Sequence, residues 1–600
     1  MADDLLHYYE RELSFIREMG EEFSRKYPKI AGRLQLDADK CEDPHTERLI
    51  EAFSLLCGRI HKKIDDHFPE ITESLFQVLY PHYVAPIPSM SVVSFEGLKQ
   101  AIPPTGYLID KNTVLFSKPV NGFPCQFSTG YPITLWPIEV TSCMISDVKK
   151  PIAHAQETLV LKLNTANNLS FSQIQCKNLR FFINGSPQYA YHLYEFILNN
   201  VCHAELSWTN RQGIKESYTL NSGDIRPVGF EPDETLVPFD GRTYSGYQLL
   251  FEYFCFPEKF LFFDIFGFDK LIGRNIQSEV EILLYFDKAT KSNLIVTKET
   301  FCLSATPVIN IFKKTAEPIY VDQEQVQYMV IPDLRRSGAT EIFMVDRVVS
   351  TAIGSDKETV YRPFYSLDHH AEESGRSAAR AYWHTKRQSS GKDGDDGTDV
   401  YLSFVDLDFN PSDPGSAVVH VHVTCTNRDL PSRIPIGDPS GDFETELSAP
   451  ISAIRCLVKP TVPRRPTLGG DLQWRLISHL SLNYLSIVQG KGEALKEILK
   501  LYDFDNSPAT RQLINGIVSL RSEHITKRIG SSFCRGVQII ITFDEEKYVG
   551  TGLYLFASII ERFLGQYVSI NSFVRLVAET LQRKERFKEW APRNGQRVLL

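Results

Sequence analysis

The feature that most constrains this chain is a helical periodicity that runs through its first eighty-eight residues, punctuated by proline. Leu6, Tyr9, Leu13, Ile16, Met19, Phe23 and Tyr27 recur three or four apart, which places them on one face of a helix over 4–27. Pro28 is expected to end that helix. A second helix is expected where Asp43 can cap free N–H groups and Pro44 can occupy the first turn, with Leu49, Phe53, Leu56, Ile60 and Ile64 as its stripe. A third runs from Pro69 to Tyr80 with Leu75, Phe76 and Leu79 inward, before Pro81, Pro86 and Pro88 impose an extended connection. Residues 1–88 thus read as a helical module on a stiff linker. Its stripes either close on one another or receive helices from another chain.

Beyond Ser89 the texture changes to short apolar or alternating runs separated by Pro, Gly, Asn and Asp, as in β-rich domains. Thr158–Leu163, Leu179–Ile183, Val280–Tyr285, Glu341–Val348 and Val418–Thr424 read as strands, and Tyr191–Asn199 as a helix. The expected division is a β-rich region of more than one unit over 89–370, a flexible loop over 371–399, a β-rich segment over 400–460 and a C-terminal α+β domain over 461–600. The first strand of that last domain is placed at Ile451–Val458. A helix at Asp471–Ile487 with an extension at Glu493–Tyr502, strands at Gly516–Lys527 and Val537–Phe543, a helix at Leu553–Tyr567 and a strand at Ser572–Thr580 follow. This β-α-β-β-α-β order matches a ferredoxin-like motif. The fold class is α+β and multidomain.

Charge and cysteine usage narrow the function. A formal charge of -9 with pI near 6.0 disfavours broad attachment to nucleic acid or an anionic membrane. Arg583, Lys584, Arg586, Lys588 and Arg593 form one basic run, interrupted by Glu585 and Glu589, and read as a solvated terminal helix. Eleven cysteines without a close pair are no disulfide framework and suit a reducing cytoplasm. The acidic opening Met1-Ala2-Asp3-Asp4 lacks the order of a secretory signal. The apolar block Leu249–Phe268 is broken by Glu252, Pro257, Glu258, Lys259 and Asp264, so it cannot cross a bilayer as one apolar helix. With its flanking Tyr247 it reads as β-core or as partner surface.

No motif supplies a catalytic, cofactor or metal site. Gly550-Thr551-Gly552 precedes a helix, but Leu555 stands where a third glycine is needed and no Gly-x-x-x-x-Gly-Lys-Ser/Thr run exists. Asp393-Gly394-Asp395-Asp396-Gly397 suggests a calcium loop, yet the third ligand position is Gly397 and the twelfth is Phe404. Asp406 and Asp408 share one strand face and could hold a cation or a proton, although two acids on a strand more often face water. His420 and His422 would need further ligands from elsewhere to bind zinc. Gly437-Asp438-Pro439-Ser440-Gly441 has its serine one place late for a nucleophile elbow.

Several long phrases occur in order along the chain. They are Tyr27-Pro28-Lys29-Ile30-Ala31-Gly32-Arg33-Leu34, Asp43-Pro44-His45-Thr46-Glu47-Arg48-Leu49-Ile50-Glu51, Leu79-Tyr80-Pro81-His82-Tyr83, Tyr131-Pro132-Ile133-Thr134-Leu135-Trp136-Pro137, Pro227-Val228-Gly229-Phe230-Glu231-Pro232-Asp233-Glu234 and Phe256-Pro257-Glu258-Lys259-Phe260. Cys425-Thr426-Asn427-Arg428-Asp429-Leu430-Pro431, Trp474-Arg475-Leu476-Ile477-Ser478-His479 and Phe563-Leu564-Gly565-Gln566-Tyr567 continue the series. In them the chain resembles the TssF family, baseplate wedge proteins of bacterial type VI secretion systems, over nearly its whole length.

The resemblance implies a cytoplasmic, non-enzymatic subunit docked at the inner membrane through the baseplate. Its implied partners are TssG, a second TssF copy, TssK, TssE and the VgrG spike, around which tail tube and sheath grow. The residues that would meet TssG are Leu6, Tyr9, Leu13, Ile16, Leu49, Phe53, Leu56 and Ile60. Two copies beside one TssG imply hinges near Pro81–Pro88 and Pro460–Pro466. The competing readings are a wedge protein of another phage-tail-like particle, or a carbohydrate-active enzyme built on Asp406 and Asp408.

Overall fold

A computed structural model describes the chain except for residues 1–7, 11, 17–18, 20–22, 24, 32–43, 68–75, 78–79, 149–151, 167–168, 239–244, 291–293, 322–324, 337, 353–357, 365–380, 392–394, 407–416, 467–491, 505–506, 530–531, 567, 569–571 and 596–600. The chain forms two compact units, Met1–Val78 with Thr467–Ser478, and Leu79–Pro466 with His479–Leu600.

In the smaller unit the described residues are helical. Residues 8–10, 12–16, 19, 23 and 25–26 belong to the first helix, and Tyr27 still donates its N–H to Phe23 O at 2.8 Å. Pro28 does more than stop that helix, since it opens a further single turn, Pro28–Ala31. The second helix is Pro44–His67, with proline at its first residue and Glu47 in its first turn, where a carboxylate suits the positive end of the helix dipole. The Asp43 cap and most of the third expected helix lie outside the described residues.

The larger unit is built on sheets. Six strands close a barrel in the order Met90–Gly97, Ala305–Ile309, Gln126–Thr129, Val114–Ser117, Phe443–Glu444 and Ile451–Val458. Val93, Phe95, Leu115, Phe127, Val308, Phe443 and Ile454 fill it. A five-stranded antiparallel sheet runs Lys215–Leu220, Val201–Thr209, Glu279–Phe286, Glu157–Thr165, Ile138–Asp147. A four-stranded sheet runs Ile225–Pro227, Phe262–Phe266, Asn178–Ile183, Phe301–Cys302. An eight-stranded sheet gathers the strands between Phe312 and Thr426, with Val419, Val421, Val423 and Cys425 of the strand Ala417–Thr426 inward at alternate positions.

Several expectations are corrected here. Ile451–Val458 does not open the C-terminal sheet; it pairs with Met90–Gly97 from Val92↔Val458 to Gly97↔Ile451 and so closes the barrel. The C-terminal sheet instead runs Ile517–Ile529, Ser532–Phe543, Ser572–Thr580, Lys588–Glu589, with Arg593–Asn594 pairing Ser572–Thr580. Ser532–Phe543 and Ser572–Thr580 lie side by side and parallel, joined through the helix Leu553–Gly565, so no strand stands between them as the ferredoxin-like order requires. The span 371–399, expected as a loop, contains the strand Ala381–Ser389, which pairs with Thr398–Asp406 residue by residue. The block Tyr247–Phe268 is interior, but half of it is the helix Ser245–Cys255 and only Phe262–Phe266 is strand.

Two helices knit this unit together. Pro187–Asn199 buries Tyr191, Leu193, Tyr194, Phe196 and Ile197, and packs on the helix Leu553–Gly565. The latter is buried at every position but Arg562, its sequence largely apolar with Ser558 and Glu561 as the buried polar residues.

Candidate partner interface

The helix Pro44–His67 turns its small residues inward. Ser54 is fully buried with its hydroxyl donating to Ile50 O at 2.7 Å, and a Cβ on Gly58 would stand 3.1 Å from the Tyr9 backbone nitrogen. The two helices therefore approach backbone to backbone, and a side chain at that position would have to push the Tyr8–Tyr9 backbone aside. The expected apolar stripe faces the other way: Leu49 is 70% exposed, Phe53 59%, Leu56 57% and Ile60 57%. Their spacing of four, three and four is the seam that a partner helix fills in a coiled coil. On the first helix Tyr9, Leu13 and Ile16 are half-buried, while Phe15, Met19 and Phe23 are exposed. Leu6 and the side chain of Ile64 lie outside the described residues. Closing of the two stripes on each other is therefore not what the described residues of the second helix do.

In the larger unit three of the long sequence phrases converge on one polar cluster. Glu252 and Lys259 form an ion pair with neither side chain exposed. Glu252 Oε1 also accepts the N–H groups of Leu236 and Val237 at 2.7 and 3.0 Å, and Lys259 Nζ donates to Glu234 O at 3.1 Å. Tyr131 donates its hydroxyl to Lys259 O at 3.1 Å, and burial pushes that phenol well above its usual range. Glu234 Oε2 accepts from the N–H groups of Gly229, Phe230 and Glu231 at 2.7, 3.0 and 3.2 Å. Gly229 has φ +101°, and a Cβ there would sit 2.9 Å from the Tyr131 hydroxyl. Arg180 grips Asp264 in a fork at 2.8 and 2.9 Å. Of the charges that break the apolar block, Glu252, Lys259 and Asp264 are thus paired inside the fold, and the cluster is built to fix backbone.

Pro81–Tyr83 forms a 3-10 turn whose rings enter an aromatic cluster. His82 lies edge-on to Phe251 at 5.0 Å between centroids, and Tyr83 meets Tyr502 at 5.8 Å and Phe504 at 6.4 Å. Burial lowers the His82 imidazole to about 3.

The candidate chemical motifs resolve into packing. A Cβ on Gly552 would stand 2.8 Å from Tyr191 Cβ, so that helix start is filled by a ring, not left open for phosphate. Asp395 and Asp399 pair with the Arg428 guanidinium at 2.6 and 3.2 Å. Burial works to raise the Asp395 carboxyl, but the Gly397 N–H, the Ser390 hydroxyl and Arg428 outweigh it and hold it below its usual range. His422 Nδ1 lies 3.1 Å from Thr315 Oγ1, and among the described residues no group of three His, Cys, Asp or Glu is placed to hold a metal. The side chain of Asp406 and all of Asp408 lie outside the described residues. The basic run is no helix: Arg583 reaches Glu195 and Glu545, Lys588 covers the Tyr554 ring, and Arg593 forks onto Glu561 at 2.9 and 3.1 Å. Among the described residues no helix is long and apolar enough to cross a membrane.

These internal pairings were missed because Glu252 and Lys259 read as interruptions. Helical spacing does not join them, because the helix ends at Cys255 and Lys259 sits on the separate turn Pro257–Phe260.

The family model "Type VI secretion system, TssF" matches residues 1–597. The type VI secretion system component TssF1 of Pseudomonas aeruginosa is 33% identical, with 100% of each chain covered. A chain in a solved TssK-TssF-TssG baseplate subcomplex superimposes with TM-score 0.75 at 26% identity, covering 92% of this chain and 99% of that one. A chain of a type VI baseplate complex shares the fold at TM-score 0.57 and 22% identity, with 99% and 100% covered. Matched from end to end in sequence and fold, the chain belongs to the TssF family of type VI secretion system proteins.

Proposed function

We propose that this protein is a structural, non-enzymatic baseplate wedge subunit that binds TssG through its N-terminal helices and assembles with TssK, TssE and a second copy of itself around the VgrG spike. The platform so formed supports tail tube and sheath, in the cytoplasm and docked at the inner membrane. One observation carries the reading: the coiled-coil seam Leu49, Phe53, Leu56 and Ile60 faces solvent on a helix whose opposite side is closed by Ser54 and Gly58. The likeness to a chain of a TssK-TssF-TssG subcomplex supports the choice of partners.

The test is co-purification with TssG and TssK, read by light scattering. A complex holding two copies of this chain per TssG is expected. A chain that stays apart from TssG overturns the proposal.

A further inference from the structure

The two proline-rich connections, where the family resemblance suggests hinges, are laced to each other. Ile87 donates its N–H to Arg464 O at 2.7 Å, and Arg464 returns its own to Ile87 O at 3.1 Å. One step along, Thr461 donates its N–H to Met90 O at 2.9 Å while its hydroxyl oxygen accepts the Met90 N–H at 2.9 Å. Ser91 adds a hydroxyl bond to Val458 O at 2.6 Å. Pro86, Pro88, Pro460, Pro463 and Pro466 carry no N–H, so these segments have few donors to offer, and those of Ile87, Met90, Thr461 and Arg464 all go across the pair. Next to the pair, Arg465 is tied to Asp429 and, at 3.0 Å, to Glu341, whose side chain is 1% exposed. Glu341 in turn accepts the Thr398 N–H and hydroxyl at 2.9 and 2.7 Å.

We propose that the two connections form one fixed double-stranded strap of the larger unit, and that any conformational difference between copies of the chain in different surroundings arises outside the paired residues. Proline supplies the stiffness of each strand, three backbone–backbone bonds and the Met90 N–H bond to the Thr461 hydroxyl supply their union, and Arg465 fastens the union to the wide sheet.

The experiment is Ile87→Cys combined with Arg464→Cys in the full chain. A hydrogen-bonded antiparallel pair holds its Cα atoms about 5.5 Å apart, within the span of a disulfide. The oxidised variant should show an 87–464 link in its peptide map and bind TssG within about twofold of the reduced form. Failure to form the link overturns the strap. So does a link that weakens TssG binding about tenfold or more relative to the reduced form, because the strands must then part during assembly. The binding arm rests on the proposed function. If wild type also ignores TssG, that function falls, and the strap is decided by hydrogen exchange of the wild-type chain. Slow exchange at both the Ile87 and Arg464 amides supports it, and fast exchange at either overturns it.

Discussion

Glu252 and Lys259 are joined in an ion pair that no solvent reaches, one on the helix Ser245–Cys255 and the other on the turn that follows it. Such a pair gains little over an apolar packing of equal shape, yet breaking it strands a charge in the interior. Lys259→Met should therefore destabilise by about 3 kcal/mol or more. Glu252→Leu should cost more, because Leu236 and Val237 then lose their acceptor as well as Lys259 its counter-charge. Combining the two should recover only part of the loss, since the two N–H groups stay unbonded. Urea denaturation of the three variants checks this ordering, and a fully restored double variant would show that the backbone acceptor role is minor.

What the sequence made legible depended on how local the information was. The strand Ser572–Thr580 could be read from its short, mostly apolar run, and the helix Pro187–Asn199 was legible over Tyr191–Asn199 but not at its start, four residues earlier at Pro187. The barrel could not, because its neighbours come from residues as far apart as Val92 and Val458, and nothing near either residue names the other. The strand Ala381–Ser389 was hidden by the small and charged residues around it, although Trp383 is its inward anchor. At the candidate interface the stripe of the helix Pro44–His67 was legible as a stripe, but its direction was not. Periodicity marks one face of a helix as apolar; Ser54 and Gly58 on the opposite face decide which one closes.

His82 should make stability depend on pH. Its imidazole titrates near 6.5 when unfolded and at about 3 when buried, so between these values the unfolded chain binds the extra proton. Stability contributed by the neutral ring is complete above pH 6.5 and falls as pH drops toward 3, by up to roughly 1.4 kcal/mol per pH unit. His82→Phe keeps a ring beside Phe251 and should flatten that slope. Melting temperatures of both proteins between pH 7 and 4 measure the difference, and parallel curves would mean that His82 is not the group responsible.

The basic run near the C-terminus should behave as a fastening, not as a solvated surface. Arg593→Met leaves the Glu561 carboxylate, only 4% exposed, without its fork and should cost about 2 kcal/mol. Arg593→Lys should recover little of this, since a single ammonium cannot match the two-point geometry. Arg586 pairs with Glu589 in the open, and Arg586→Ala should be close to neutral. Thermal unfolding of the three variants distinguishes a fastening from a solvated run, which would make all three alike.

Charge placed on the exposed seam should separate binding from folding. Phe53 and Leu56 are 59% and 57% exposed, so Phe53→Asp with Leu56→Asp removes little buried contact and should leave the melting temperature nearly unchanged. In a coiled-coil seam the same carboxylates would be buried without partners, and TssG capture should be lost. Gly58→Leu is the converse. Its side chain would meet the backbone of Tyr8 and Tyr9, first at 3.1 Å, and should push the two helices apart while leaving Leu49, Phe53, Leu56 and Ile60 in place on their own helix. That variant should melt lower. If the double aspartate variant still captures TssG with unchanged stoichiometry, the seam is not the contact, and the exposed run Phe15, Met19 and Phe23 on the first helix becomes the surface to charge next.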